Sequence, residues 1–262
     1  MFDLIFHFIH SFRMPTFFVL AGFFAALLVE KRGLVGTWKN RAARILAPLV
    51  AGLVTVVPLA GLFAIDLLLY GRFGTLEFLP QLELMHQFGN EMRAKGVPVG
   101  EPSPFHLWFL YYLLYFYLLI PLCMLIVRGT AKYDQRISQL QLSPWLLPLL
   151  GLFTAVLLWP FRGGQVHEGF IFFRPHVPSL LYYGMFFVLG YLAHQHRSML
   201  QGFARHLVWC AALALMMFPL SLYLSHLEHS AVAFDPALHL AAVVAHGLCT
   251  WALIYACIGA AM

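Results

Sequence analysis

The sequence predicts an all-α fold, a polytopic bundle of transmembrane helices, and three observations predict it. Of the 262 residues, 61% are hydrophobic and only 10% are charged, well under half the roughly 25% typical of soluble domains. The apolar residues fall into about seven runs, most of them near the roughly 20 residues that a bilayer-spanning helix needs. The polar residues gather in the gaps between those runs. So much apolar surface cannot be absorbed by a core and has to face lipid, which makes membrane lipids the first partner. An ordinary soluble enzyme, a disordered chain and a disulfide scaffold are excluded.

The runs are 14–30, 45–70, 105–127, 144–161, 178–194, 206–225 and 236–260. Pro15 suits the first turn of the first helix. The second run carries Pro58 with Gly52 and Gly61 around it. The gap 71–104 holds Arg72, Glu77, Glu83, Glu91, Arg93, Lys95 and Glu101 and ends in Pro98, Pro102 and Pro104, so it reads as the one sizeable soluble loop. The third run opens on aromatic residues. The fourth is short, and Pro144, Pro148 and Pro160 blur its edges. No internal repeat or low-complexity tract divides the chain, so 1–262 reads as a single integral-membrane domain. It opens on Phe2-Asp3-Leu4-Ile5-Phe6 and stops at Ala260-Ala261-Met262, in or beside an apolar run, which reads as a chain incomplete at both ends.

Charge gives an expected orientation. With alternating sides, one set of gaps holds Lys31, Arg32, Lys39, Arg41, Arg44, Arg128, Lys132, Arg136, Arg197 and Arg205; the other holds Arg13, Arg72, Arg93, Lys95, Arg162 and Arg174. The richer, shorter loops face the cytoplasm by the positive-inside rule. That places 31–44, 128–143 and 195–205 inside, and the first residues, 71–104, 162–177 and 226–235 outside. The net charge of +5 is dispersed over these gaps rather than forming a stripe, so no nucleic-acid partner is implied. Cys123, Cys210, Cys249 and Cys257 lie in or beside apolar runs without a CxxC and read as small buried hydrophobes. No secretory signal is visible.

Three clusters could carry chemistry. His7 and His10 share a helical face with Arg13 beside them, at the expected outer mouth; interfacial anchoring, with Arg13 snorkelling, explains them equally. Two histidines without a third ligand do not make a metal site. Arg41 and Arg44 share a face at the cytoplasmic entrance of the second run, where two guanidiniums can grip a phosphate; positive-inside topology alone also explains them. His106 precedes Trp108, Tyr111 and Tyr112. An aromatic belt accounts for those rings but not for the imidazole, a candidate proton carrier or donor to substrate. Asp66, His239 and His246 lie inside apolar runs, where ionisable groups are costly and often functional, yet no partner for any of them can be read from the sequence. His194 and His196 are two apart and share no face.

Together the three clusters resemble membrane-bound acyltransferase family 3, in particular its glucan-succinylating branch. The matching stretches are His10-Ser-Phe-Arg-Met-Pro-Thr-Phe-Phe-Val-Leu-Ala-Gly-Phe23, Arg41-Ala-Ala-Arg-Ile-Leu-Ala-Pro48 and His106-Leu-Trp-Phe-Leu110, and the resemblance is clear over about 5–125. It implies an acyl-coenzyme A co-substrate on the cytoplasmic side, no bound cofactor or metal, and a glycan or other hydroxyl acceptor on the outer side of a bacterial inner membrane. The family's Arg-x-x-Arg motif falls on Arg41 and Arg44, which would bind the donor. Its best-known catalytic histidine lies in an earlier span, about ten residues after an arginine, and this sequence has no such motif. His10 and His106 are therefore the remaining catalytic candidates, with Arg13 on the acceptor side. A transporter or flippase-like protein, for which Pro58 with Gly52 and Gly61 gives a weak sign of a broken helix, and a non-catalytic partner lacking the catalytic span are the alternative expectations.

Overall fold

The structure, a computed structural model, describes residues 2–73, 87, 90, 107–130, 146–166, 175–196 and 204–262. Among these residues every regular element is helical: α1 (Phe2–Arg41), a π-turn (Ala42–Leu46), α2 (Ala47–Val54), α3 (Val56–Phe73), α4 (Trp108–Leu118), α5 (Ile120–Thr130), α6 (Leu147–Leu158), a 3-10 turn (Arg162–Gly164), α7 (Val177–Gln195), α8 (Leu207–Ser230) and α9 (Pro236–Ala260). The fold is the expected all-α membrane bundle. The helical run His7–Phe63 and helices α7, α8 and α9 are long and apolar enough to cross a membrane, and the bent pair α4–α5 makes a fifth candidate span. Helix α6 is a shorter apolar helix of 12 residues. All seven apolar runs are mainly helical where they are described, the fourth ending in a turn at Trp159–Phe161. Large apolar side chains stand exposed along α3 and α8, among them Phe63, Leu67, Val208 and Leu215, as lipid-facing surfaces require.

One difference from the sequence expectation concerns 31–44, read there as a cytoplasmic loop. It is helical, because Lys31, Arg32, Lys39, Arg41 and the alanines after it are good helix formers. Gly33 interrupts α1 with φ 68°, a backbone region that glycine enters freely, and Thr37 donates its hydroxyl to the Gly33 carbonyl at 2.8 Å. After Arg41 the helix widens into the π-turn, in which the N–H of Ala47 reaches back five residues to the carbonyl of Ala42. Pro48 has no N–H and its ring crowds the carbonyl four residues earlier, which favours the wider turn.

The chain divides into two compact units, Met1–Trp38 with Tyr115–Glu168 and His176–Met262, and Lys39–Leu114 with Gly169–Pro175. In the first, α9 is the central helix: two-thirds of its most apolar stretch is buried, against 17% for α8. Helices α8 and α9 pack through Ala214, Cys249, Ala252 and Leu253, with Phe8 and Phe12 of α1 against them. Glycines let backbones touch, as small residues do at membrane helix interfaces. A Cβ on Gly22 of α1 would run into the Phe187 carbonyl of α7, and one on Gly190 into that of Val19. A Cβ on Gly247 of α9 would lie 2.7 Å from the Gly151 carbonyl of α6. Aromatic rings fill the space beside these crossings, including Phe18 with Phe116 and Tyr183 and Phe186 with Trp251.

Two prolines in this unit would leave helix carbonyls without their usual donor four residues on, and side chains from other helices replace it. Pro15, expected in a first helical turn, lies inside α1, which already begins at Phe2; it frees the Ser11 carbonyl, which accepts from Thr250 Oγ1 at 3.1 Å. Pro121 frees the Tyr117 carbonyl, which accepts from Trp38 Nε1 at 2.8 Å. In lipid no water can take that role. Pro121 also sits just beyond the 50° bend between α4 and α5.

In the second unit α2 and α3 follow the π-turn, with Ile45, Leu49 and Tyr112 buried. Gly52 faces Leu107, whose Cδ1 lies 2.9 Å from where a Cβ would stand. Apart from residues 71–73, 87 and 90, the expected outer loop 71–104 lies outside the described residues.

Candidate functional site

Helix α8 places Ser221, Ser225 and Glu228 on one buried stripe, spaced four and then three residues apart. Helix α9 starts at an Asp235 cap whose Oδ1 accepts from the N–H groups of Ala237 and Leu238 at 2.9 and 3.3 Å, a favoured N-terminal arrangement. Its buried face carries His239 and, two turns on, His246. The chain leaving α6 turns back over these ends through Gly163 and Gly164, both left-handed at φ 67° and 66°. Here glycine is required twice over, since a Cβ on Gly163 would overlap Ser225 Oγ and His229.

The three elements meet at one buried ion pair. Glu228 Oε1 lies 2.8 Å from His239 Nδ1, and both side chains are almost fully buried. Glu228 Oε2 accepts the backbone N–H of Gly163 at 2.9 Å. The other ring nitrogen of His239, Nε2, lies 2.9 Å from the carbonyl of Trp159. A carbonyl only accepts, so Nε2 is the donor in that contact. Both carboxylate oxygens and both ring nitrogens are thus engaged, as burial of such a pair demands. Arg162 adds a further clamp: its Nη2 donates to the carbonyls of Glu228 and Ala231 at 3.0 Å each, capping the C-terminal end of α8 with a positive charge where the helix dipole favours one. Deeper in, Ser221 Oγ and His246 Nδ1 lie 3.2 Å apart, and Gln165 Nε2 donates to Ser225 Oγ at 3.3 Å.

A second imidazole–carboxylate contact joins α1 to α7. His194 Nε2 is 3.4 Å from Glu30 Oε2, the histidine buried and the glutamate 61% exposed. The Phe23 ring stands edge-on to His194 at 4.9 Å. Glu30 lies twenty residues, about 30 Å of helix, from His10.

The sequence candidates fall as follows. His10 and Arg13 are exposed neighbours, with His10 Nε2 and Arg13 Nη2 3.3 Å apart. The guanidinium can only donate, so His10 Nε2 is the acceptor in this contact. Ser11, next to His10, meets Thr250, which lies eleven residues, about 16 Å of helix, along α9 from His239. The His10–Arg13 contact and the Glu228–His239 pair are therefore separate features of this unit. Arg41 ends α1, half-buried, and Arg44 is exposed in the π-turn. A π-turn advances less per residue than an α-helix, so the two arginines spread wider round the axis than an α-helical reading places them. His106 lies outside the described residues. Asp66 is half-buried on α3. His239 and His246 have acquired the partners that the sequence did not name. Glu228 is missed as a site residue because the sixth run ends at residue 225 whereas α8 continues to Ser230; Arg162 is missed because it reads as one of the dispersed gap charges. The signal was present: Ser221, Ser225 and Glu228 keep helical spacing past the apolar stretch.

Lipid-facing helices around a buried polar cluster define an integral membrane protein of the all-α class. The Acyl_transf_3 model, an acyltransferase domain, matches residues 1–262, and the chain belongs to that family. It is 30% identical over 227 residues to glucans biosynthesis protein C of Escherichia coli O139:H28 (strain E24377A / ETEC), a match covering 82% of this chain and 54% of the relative. It is 31% identical over 196 residues to the protein of the same name from Escherichia coli O6:K15:H31 (strain 536 / UPEC), covering 71% and 46%. The chain spans about half the length of the curated relatives it matches. No solved structure matches it.

Proposed function

We propose that the protein is a membrane-bound O-acyltransferase of a bacterial inner membrane. It moves an acyl group, succinyl on the branch resemblance, from cytoplasmic acyl-coenzyme A to a hydroxyl of a glycan on the outer side. The observation that carries this reading is the acyltransferase-domain match over the whole chain. That its relatives are glucans biosynthesis proteins supports a glucan as acceptor.

In this reading Arg41 and Arg44 hold the coenzyme A phosphates. Arginine suits this role because its planar fork binds phosphate oxygens in pairs. The acceptor hydroxyl attacks the thioester carbonyl, an imidazole takes the hydroxyl proton, and coenzyme A leaves as the thiol once its sulfur has gained a proton. A donor beside the carbonyl steadies the oxyanion that forms on the way. His10 and His106 are the candidates to take the proton or orient the acceptor, with Arg13 beside His10.

The test is donor affinity in Arg41→Ala and Arg44→Ala. Each is expected to weaken acyl-coenzyme A binding by tenfold or more, roughly the loss of one charge-assisted phosphate contact. Unchanged affinity in both variants defeats the donor assignment. Reporter fusions that place Arg41 and His106 on the same side of the membrane defeat the transmembrane arrangement.

A further inference from the structure

A cavity of about 250 Å³ opens where α6 ends against α8 and α9. We infer that it is a subsite for one monosaccharide unit of a neutral glycan. This rests on the glycan-acceptor reading and adds to it a place and a set of residues. The cavity is smaller than the roughly 300–1,000 Å³ that drug-sized ligands occupy, so it suits a single ring rather than a lipid tail or a nucleotide.

Its lining has the chemistry of a polyol site. Glu228 and His239 line it from the buried side, each 2% exposed. Trp159 and Phe234 line it from the open side, 47% and 62% exposed, and both rings rest against His239, at 4.6 and 5.3 Å between centroids. The imidazole thus supports the two aromatic rings from behind, and an aromatic face is what the apolar C–H face of a sugar ring packs against. The polar capacity is mixed in sign. Each Glu228 oxygen takes one hydrogen bond within the protein and retains a lone pair for another. Arg162 commits Nη2 to the carbonyls of Glu228 and Ala231, and a guanidinium has three further N–H groups on its other nitrogens. Hydroxyls both donate and accept, so they can use both kinds of group at once. A phosphate or carboxylate oxygen would gain from Arg162 but has no proton to give the Glu228 lone pairs, whereas a hydroxyl serves both.

The test measures saccharide binding directly. The full chain, purified into lipid nanodiscs, is titrated by calorimetry with a neutral glucose oligosaccharide and, separately, with glycerol phosphate and with acyl-coenzyme A. The variants are Phe234→Ala and Trp159→Ala, which spare the backbone carbonyl that His239 uses. Phe234→Ala is the cleaner of the two because its ring is mostly exposed. The expected result is saccharide binding that falls about tenfold in each variant, the scale of one lost aromatic contact, with acyl-coenzyme A binding unchanged. Absence of saccharide binding, binding indifferent to both substitutions, or preference for glycerol phosphate overturns the subsite. Acceptor-dependent transfer with an unchanged acceptor KM in Phe234→Ala also overturns it, and leaves the acyltransferase reading standing. Variant-sensitive saccharide binding without any acyl transfer supports the subsite and counts against the acyltransferase reading.

Discussion

Glu228 and His239, eleven residues apart in sequence and on different helices, face each other at 2.8 Å with almost no exposure. The remaining polar atoms of the pair hold Gly163 and Trp159, so one pair fixes the chain leaving α6 to the ends of both α8 and α9. Removing one partner leaves an uncompensated buried group, which costs about 3–5 kcal/mol. Glu228→Leu and His239→Leu alone are each expected to lower the melting temperature sharply in detergent. The double variant is expected to be milder than the sum of the two, because neither charge is stranded. Additive losses would show that the two side chains do not act as a pair.

Trp38 and Pro121 make a second coupled pair. Trp38→Phe keeps the ring but removes the donor to the Tyr117 carbonyl, leaving a buried acceptor unmet at a cost of about 1–3 kcal/mol. Pro121→Ala restores a backbone N–H that can reach that carbonyl within the helix. The cost of Trp38→Phe is therefore expected to shrink in the Pro121→Ala background, measured as a difference in melting temperature. Thr250→Val with Pro15→Ala is expected to behave the same way. An undiminished cost in both backgrounds would contradict the proline account.

The glycine crossings predict a contrast. Gly22→Ala and Gly190→Ala place a methyl against backbone, which cannot swing aside as a side chain can. Both are expected to abolish accumulation of folded protein, read by in-membrane protease resistance and size-exclusion profile. Gly61→Ala, with nothing within 4 Å of its added Cβ, is expected to be neutral or stabilising by up to about 1 kcal/mol, since alanine favours helix. Equal behaviour of the three would refute the close approach of α1 and α7.

His10 gives a kinetic prediction. His10→Ala is expected to lower acyl transfer about a hundredfold, the low end of what a positioned acid–base group contributes (about 10²–10⁴-fold). Acyl-coenzyme A affinity, measured by equilibrium binding, is expected to stay unchanged. Wild-type turnover in the variant would remove His10 from the chemistry.

The sequence made the fold class legible because hydropathy is a sum over many residues, and single errors do not upset it. Element ends were less legible. The helix through 31–44 was hidden because basic residues there read as loop by charge, although lysine and arginine are good helix formers. Helix α8 was cut short at residue 225 because Ser225, His226, Glu228 and His229 are polar, whereas the buried stripe continues through them. His239 and His246 were visible as costly intramembrane groups, yet their partners Glu228 and Ser221 come from another helix. Only the packing of α8 on α9 shows which polar residues meet. The cavity was hidden for the same reason: Trp159, Arg162, Glu228, Phe234 and His239 come from three segments that no local pattern joins.

The most direct measurement of the central claim is transfer itself. Membranes carrying the protein are supplied with acyl-coenzyme A labelled in its acyl group and with a neutral glucan, and the glucan is recovered and treated with mild base. The expected result is label on the glucan that base releases as the free acid, the behaviour of an ester, in amounts that depend on the protein. Uptake or passage of the glucan with no label attached would contradict an acyltransferase and favour a transporter.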